Sequence, residues 1–225
     1  GYSTDDQARA LWACVWWLEE LPGKAGELEP LIDTYFSFLF WAQLESGHFQ
    51  NNFAYDRSRE AENPSDDCLG RCLWAASLVW SHYREKDEHR RAAAERLIRP
   101  ALGRLRDVRS PRGASYALAA IGHLIRNGFA DGEGGRLADH AARLGGMLLR
   151  GFREYASAEW RWFEPLLAYS NGIIPWGILC ARDAPLDGEL VKAALDGLDF
   201  LIRKSTDEHG RIRVVGNKGW CTPKY

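Results

Sequence analysis

The chain has 225 residues and a formal net charge of −2, with basic and acidic residues interspersed along it. This length predicts a single domain over residues 1–225, large enough to bury roughly 70–75% of the surface of the unfolded chain. The charge balance excludes the basic footprint of a nucleic-acid-binding protein and the polybasic patch of a membrane-binding one. No apolar run reaches the ~20 residues of a membrane span, and the first residues show no signal-peptide pattern. We therefore expect neither nucleic acid nor a membrane as a partner.

Eight helices are predicted in chain order from the 3.6-residue spacing of apolar residues and from capping residues. They cover residues 4–20, 27–44, 65–84, 87–106, 111–127, 132–155, 170–183 and 187–204. Short links pair consecutive helices, which predicts four antiparallel hairpins. The odd-numbered helices are rich in apolar and small residues and are expected to form an inner layer, with the even-numbered helices outside. The pattern predicts an all-α fold: an (α/α) toroid, part or all of a six-hairpin barrel, with short extended stretches in its rim loops.

The start of the first helix recurs at the start of the third. Residues 4–6 (Thr-Asp-Asp) and 65–67 (Ser-Asp-Asp) each provide a hydroxyl N-cap and two carboxylates, with Arg9 or Arg71 about one turn later. Capping and intrahelical ion pairs, Asp6 with Arg9 and Asp67 with Arg71, account for each copy taken singly. Because equivalent helices begin on a common rim, the recurrence also favours carboxylates that share acid and base work across a cleft.

The five cysteines are odd in number and lie mostly in apolar helical patterns, which favours reduced thiols and a cytoplasmic protein. Cys68 and Cys72 share a helix face, but no further Cys or His completes a zinc set nearby. We expect these two residues to be small buried hydrophobes, and we expect neither a metal site nor a cofactor.

Tyr55, Asp56 and Arg57 lie in a long loop after the second helix, where neither a helix dipole nor a core explains them. Two interpretations stay open. Asp56 is a base or a ligand for a hydroxyl group, with Arg57 beside it, or the pair is a surface ion pair that contributes little.

The segment Trp160-Arg161-Trp162-Phe163-Glu164-Pro165 places aromatic residues on both sides of one carboxylate, and Tyr169 and Asn171 follow it. An apolar pocket there would raise the pKa of Glu164, so that it could hold a proton for a leaving group. The alternative is that Glu164 only caps the turn before Pro165.

Ten tryptophans are unusual for this length, and we expect nine of them to divide into two groups. Six are expected to fill the core: Trp12, Trp16, Trp17, Trp41, Trp74 and Trp80. Three lie in apparent loops, where a flat apolar face with one polar edge suits a sugar ring: Trp160, Trp162 and Trp220. The glycine-rich residues 215–220, which include Asn217, lack the strand and helix of a phosphate loop and fit a sugar-contacting loop better.

These phrases, in this order, resemble a bacterial family of (α/α)-toroid proteins known as glycosyltransferases or glycosyltransferase-associated domains. The matching positions span nearly the whole chain: residues 4–11, 55–57, Ser65, Asp67, Gly70, Arg71, Phe163, Glu164, Tyr169, Asn171, Pro175 and 215–220. Leu69, Pro165 and Ser170 stand where the family has polar or acidic residues, which implies a divergent specificity or a weakened catalyst. The family continues beyond Gly219-Trp220 with an acid-containing segment, so the resemblance also implies a truncated toroid.

We therefore predict a carbohydrate-active domain, similar to a glycoside hydrolase, that acts on a glycosidic bond of an oligosaccharide or polysaccharide with two carboxylates. The catalytic candidates are Asp67 and Glu164, with Asp56 as an alternate. Carboxyl groups ~5–5.5 Å apart would retain the anomeric configuration and groups ~6.5–9.5 Å apart would invert it. Sugar-binding candidates are Asp5, Asp6, Arg57, Trp162, Tyr169, Asn171, Asn217 and Trp220.

Two other classes stay open. The first is a non-catalytic sugar-binding or scaffold module that serves a glycosyltransferase partner. The second is an isoprenoid-binding helical toroid, which would need clustered acids for Mg²⁺ and an apolar cavity, whereas the loops here are polar and aromatic.

Overall fold

The computed structural model describes residues 1–130, 136–214, 216 and 221–223. Eight α-helices account for most of this part of the chain, which confirms the all-α prediction. They are α1 (Thr4–Glu20), α2 (Ala25–Ala42), α3 (Asp66–Tyr83), α4 (Glu88–Arg104), α5 (Pro111–Arg126), α6 (Arg136–Tyr155), α7 (Ile173–Cys180) and α8 (Gly188–Lys204). Two 3₁₀ turns, Pro22–Lys24 and Leu105–Asp107, precede α2 and follow α4. A two-stranded antiparallel sheet pairs β1 (Tyr2–Ser3) with β2 (Asn52–Phe53).

Most helix ends lie within two residues of the predicted ends, but α7 is shorter than predicted. It begins at Ile173 rather than at residue 170 and ends at Cys180 rather than at residue 183. The side chain of Asn171 accepts a hydrogen bond from the backbone N–H of Ala168 (3.0 Å) and donates one to its carbonyl (2.9 Å). This local turn takes up backbone groups that a longer helix would have used.

The described helices pack as one row of four hairpins. α1 packs on α2, α3 on α4, α5 on α6, and α7 on α8, as the short links predicted. The first helices of the hairpins also pack on one another in sequence, α1 on α3, α3 on α5, and α5 on α7. The row places α1, α3, α5 and α7 side by side, and its closure into a toroid stays a prediction.

Small residues let the inner helices approach closely. A Cβ atom at Gly70 of α3 would lie 2.7 Å from the carbonyl oxygen of Gly113 in α5. A Cβ atom at Gly177 of α7 would collide with the carbonyl of Ser115 in α5. Because side chains would hold these backbones apart, the glycines set the spacing within the inner row.

The helices that start at the two copies of the Asp-Asp motif begin differently. The Ser65 hydroxyl caps α3 by accepting a hydrogen bond from the Cys68 N–H (3.3 Å), as predicted. The Thr4 hydroxyl is not a cap, because it is buried and donates to the Gln50 carbonyl in the loop after α2 (2.5 Å). The first copy therefore fastens α1 to that loop.

The loops after α2 and α8 contain the same turn. Gln43 bridges to Phe49 after α2, and Thr206 bridges to Ile212 after α8, each as an isolated antiparallel pair. A glycine with positive φ closes each turn, Gly47 at +90° and Gly210 at +75°. The predicted short extended stretches are thus present, with the same geometry at two points of the array.

The tryptophans divide differently from the prediction. Trp160 and Trp162, expected in exposed loops, are buried against Phe200 of α8. Trp16, Trp17 and Trp41, expected in the core, are exposed. The 3.6-residue period correctly places Trp16, Trp17 and Trp41 on helices, but it does not indicate which helix face lacks a neighbour.

None of the helices in the described part of the chain is long and apolar enough to cross a membrane. The thiols of Cys14, Cys68, Cys72 and Cys180 form no disulfide, and the Sγ atoms of Cys68 and Cys72 lie 4.0 Å apart in the core.

Candidate functional site

A continuous set of polar side chains runs along the N-terminal ends of α1, α3 and α5 and the segment before α7. Each member is joined to at least one other by a hydrogen bond or an ion pair, and we call the set the rim network. Its members are Asp5, Arg71, Asp67, Ser110, Tyr169, Arg112, Glu164 and Asn171.

The first link joins the two copies of the repeated phrase. Nη1 of Arg71 in α3 lies 2.8 Å from Oδ2 of Asp5 in α1, and Arg71 is buried. Nη2 of Arg71 lies 3.6 Å from Oδ2 of Asp67, the predicted intrahelical pair. Asn51 holds Asp5 from the other side, accepting from its backbone N–H (3.0 Å) and donating to Oδ2 (3.3 Å). One arginine thus lies between two carboxylates of the inner helices.

Asp67 is the centre of the network. Its Oδ1 accepts from the Ser110 hydroxyl (2.7 Å) and its Oδ2 accepts from the Tyr169 hydroxyl (2.8 Å). Tyr169 is about half exposed, and its partial burial raises its pKa to about 12, with the hydrogen bond and charge of Asp67 adding to the effect. The phenol is therefore protonated at neutral pH and remains a donor to Asp67. Both oxygens of this buried carboxylate accept hydrogen bonds from other side chains.

Arg112 attaches the segment before α7 to α5. Its Nη1 lies 3.0 Å from Oε1 of Glu164, its Nε donates to the Tyr169 carbonyl (2.5 Å), and its Nη2 donates to Oδ1 of Asn171 (3.3 Å). The guanidinium carbon lies 4.5 Å from the centre of the Tyr169 ring. Arg112 is itself only 4% exposed. A single buried arginine therefore positions three of the residues that the sequence nominated.

Glu164 does not lie in the purely apolar pocket that the flanking aromatic residues suggested. Its Oε1 pairs with Arg112, and its Oε2 is buried with no hydrogen-bond partner among the described residues. Its backbone carbonyl accepts from the Trp160 indole N–H (2.8 Å). A buried polar atom without a partner costs roughly 1–3 kcal/mol, and such atoms often mark functional sites. A cavity of about 370 Å³ lies beside this residue, lined in part by Arg109, Arg150 and Glu154.

The remaining carboxylates of the two doublets have structural partners. Oδ2 of Asp66 accepts from the backbone N–H groups of Arg109 (2.7 Å) and Ser110 (2.8 Å), which fixes the turn before α5. Asp6 is exposed and forms the predicted ion pair with Arg9. The network therefore takes the first acid of one doublet, Asp5, and the second acid of the other, Asp67.

Asp56 and Arg57 lie outside the rim network. Asp56 is exposed, and its Oδ1 accepts from the hydroxyl (2.6 Å) and the backbone N–H (2.9 Å) of Ser58. The Ser58 hydroxyl is the main cause that lowers the pKa of Asp56, ahead of the Ser58 backbone. Asp56 therefore shapes its own turn, and the predicted surface ion pair with Arg57 is not formed. Arg57 has a φ of +69° and lines a separate groove beside α2.

Trp162, a predicted sugar-stacking residue, does not belong to the rim network. Trp162 is fully buried, with its ring against Phe163 and Phe200, so the prediction of an exposed stacking face was wrong for this residue. Asn217 and Trp220 lie outside the described residues.

Arg112, the residue that joins most of the site, was not predicted. One signal in the sequence points to it, because Arg112 is the only charged residue between positions 111 and 122. A lone charge at the start of a buried helix needs a partner. The partner itself, 52 positions away at Glu164, has no local signature.

Among the described residues there is no group of three or more His, Cys, Asp or Glu side chains that could hold a metal ion. No protein-family model matches this chain. No curated protein is significantly similar to it. The resemblance to the bacterial toroid family rests on its motifs and stays a prediction.

Proposed function

We propose that this chain is a carbohydrate-active domain of the (α/α)-toroid type, in which the rim network holds a saccharide and acts on a glycosidic bond. One observation carries the proposal. Tyr169 hydrogen-bonds to Asp67 through its hydroxyl and to Arg112 through its carbonyl, and Arg112 pairs with Glu164. Two carboxylates that are distant in sequence therefore belong to one polar network.

The two carboxylates have different surroundings, as acid and base partners require. Asp67 accepts hydrogen bonds on both oxygens, an arrangement suited to a nucleophile, to a base toward water or to a stabiliser of positive charge at the sugar ring. Glu164 keeps one oxygen without a hydrogen-bond partner among the described residues. In this proposal Glu164 protonates the leaving group, and Tyr169 and Asn171 orient sugar hydroxyls.

A second candidate function is supported by the Arg112–Glu164 ion pair. A general acid must reach the leaving group, whereas Oε1 of Glu164 is already paired with the Arg112 guanidinium at 3.0 Å. If the pair persists when ligand binds, the network holds a saccharide without cleaving it. The chain would then be the non-catalytic sugar-binding or scaffold module of a glycosyltransferase partner.

Turnover and binding, measured separately, test both candidates. The labelled chain is applied to a glycan microarray, and the best-bound oligosaccharide is then used for calorimetry and for chromatographic analysis of released products. For the enzyme, Asp67→Asn and Glu164→Gln should each lower turnover by about 10²–10⁴-fold while binding persists. Asp6→Asn, which changes the exposed acid of the first doublet, is the matched control and should leave turnover unchanged.

The outcomes are distinct. Binding without products in the wild-type protein supports the non-catalytic module and overturns the enzyme. Absence of binding to every glycan on the array overturns the carbohydrate proposal as a whole.

A further inference from the structure

A second concave surface lies along the first hairpin, between the start of α1 and the later part of α2. We call it the aromatic groove; it encloses about 720 Å³ and is lined by Tyr2, Gln7, Thr34, Ser37, Phe38, Trp41 and Arg57. None of these residues belongs to the rim network. The groove therefore requires its own explanation.

Trp41 is held in place by its neighbours and still exposed. Its ring stacks on Phe53 at 4.1 Å with an interplanar angle of 26°, and Phe38 meets it edge-on at 5.2 Å. Phe53 is completely buried, so it fixes one face of the indole from within the core. Trp41 nevertheless remains 42% exposed. A fixed aromatic face that is open to solvent loses little conformational entropy when a flat ligand stacks on it.

Polar groups surround this aromatic face. In the described part of the chain, the side chains of Gln7, Ser37 and Arg57 have no hydrogen-bond or ion-pair partner. Thr34 donates its hydroxyl hydrogen to the Pro30 carbonyl (2.8 Å) and keeps its oxygen as an acceptor. The groove thus offers amide, hydroxyl and guanidinium groups that are free to bind a ligand.

The backbone at Arg57 is fixed by a tight turn. The Arg57 N–H donates to the Ala54 carbonyl (2.9 Å), and Asp56 accepts from Ser58 on the other side. Arg57 itself has a φ of +69°, which is uncommon for a residue with a side chain. Uncommon backbone conformations of this kind recur at ligand-binding loops. The turn holds the base of the guanidinium side chain at the edge of the groove.

The chemistry of the lining selects among ligand classes. Arg57 is the one charged side chain lining the groove among the described residues, and it disfavours a cationic ligand. An apolar helix would leave Gln7, Ser37 and Arg57 buried without hydrogen-bond partners, which is unfavourable. A sugar ring satisfies both parts of the lining, because its C–H face stacks on an indole and its hydroxyls bind polar groups at the edge.

We propose that the aromatic groove binds an oligosaccharide, with one sugar ring stacked on Trp41 and a hydroxyl or carboxylate of the ligand hydrogen-bonded to Arg57. This inference rests on the proposed function for its class of ligand, a saccharide. It assigns that ligand to a different site. The two fail separately, because changes at Trp41 test the groove and changes at Asp67 test the rim network.

Calorimetry with defined probes tests the groove. The full chain is titrated with mannohexaose, cellohexaose, xylohexaose, chitohexaose and trigalacturonate. For a probe that binds, Trp41→Ala should weaken the association constant by at least tenfold and Arg57→Ala by about threefold to tenfold, whereas Trp41→Phe should retain most of the affinity. Trp17→Ala is the matched control, because Trp17 is 63% exposed on α1 and does not line the groove.

Three results would overturn the proposal. The first is that no probe binds the wild-type chain at about 1 mM ligand, a concentration that would detect even a weak, millimolar Kd. The second is that Trp41→Ala binds as the wild type does, or that Trp17→Ala loses as much affinity. The third is that sedimentation shows a wild-type dimer that Trp41→Ala abolishes, which would make the groove an interface between two copies. Circular dichroism of each variant confirms that it is folded.

Discussion

Removal of Arg112 should destabilise this chain far more than removal of an exposed arginine. Arg112 makes three polar contacts, to Glu164, the Tyr169 carbonyl and Asn171, and it is almost fully buried. Breaking a buried ion pair by removing one partner costs about 3–5 kcal/mol, because the other charge stays buried without compensation. Oε2 of Glu164 already lacks a partner, so no other described side chain compensates the lost charge. We expect Arg112→Ala to lower the free energy of unfolding by about 3–5 kcal/mol.

Urea unfolding followed by circular dichroism measures this loss. Arg9→Ala is the control, because its ion pair with Asp6 is exposed and should contribute at most about 1 kcal/mol. The double variant Arg112→Ala/Glu164→Gln should recover part of the loss, since it removes the uncompensated charge. If Arg112→Ala lowers the free energy of unfolding by less than about 1 kcal/mol, or by as much as Arg9→Ala does, Arg112 does not hold the segment before α7 in place.

Three further predictions follow from single contacts. Burial lowers the pKa of His123 to about 4. The contribution of the neutral imidazole to stability is therefore present above pH 6.5, and up to about 3 kcal/mol of stability is lost as the pH falls from 6.5 to 4. A His123→Gln variant should show a flatter pH profile in urea unfolding. Tyr169→Phe removes one of the two hydroxyl donors to Asp67 and should cost about 1–3 kcal/mol in the same measurement, with no loss contradicting the hydrogen bond. Gly177→Ala should lower the melting temperature by several degrees, because its Cβ would collide with a carbonyl of α5, whereas Gly172→Ala, with open space around it, should not.

The helices and their pairing could be predicted because their signals are local. Apolar spacing and caps such as Ser65 lie within a few residues of the helix that they define. Small residues in the fifth helix, such as those in residues 117–122, likewise predicted the inner layer. The burial of individual tryptophans could not be predicted in this way. It depends on which helix face lacks a neighbour, and this is why Trp17 is exposed and Trp162 is buried.

The candidate site could be predicted only in part, for the same reason. Asp67, Glu164 and Tyr169 were nominated by residue type and position, and the structure joins them. Their true neighbours were not predicted, because Arg112 and Glu164 are 52 positions apart and meet only through the packing of α5 against the segment before α7. The aromatic residues that flank Glu164 in the sequence predicted an apolar environment. They did not indicate Arg112, the buried arginine that pairs with this carboxylate.

The most direct test of the central claim measures the release of product from the best-bound oligosaccharide by the wild type, Asp67→Asn, Glu164→Gln and the double variant. Because two carboxylates that act on one bond act as a unit, each single variant should lower kcat/KM by about 10²–10⁴-fold, and the double variant should lose little more. Wild-type levels of product from either single variant, or losses that simply multiply in the double variant, would contradict the account.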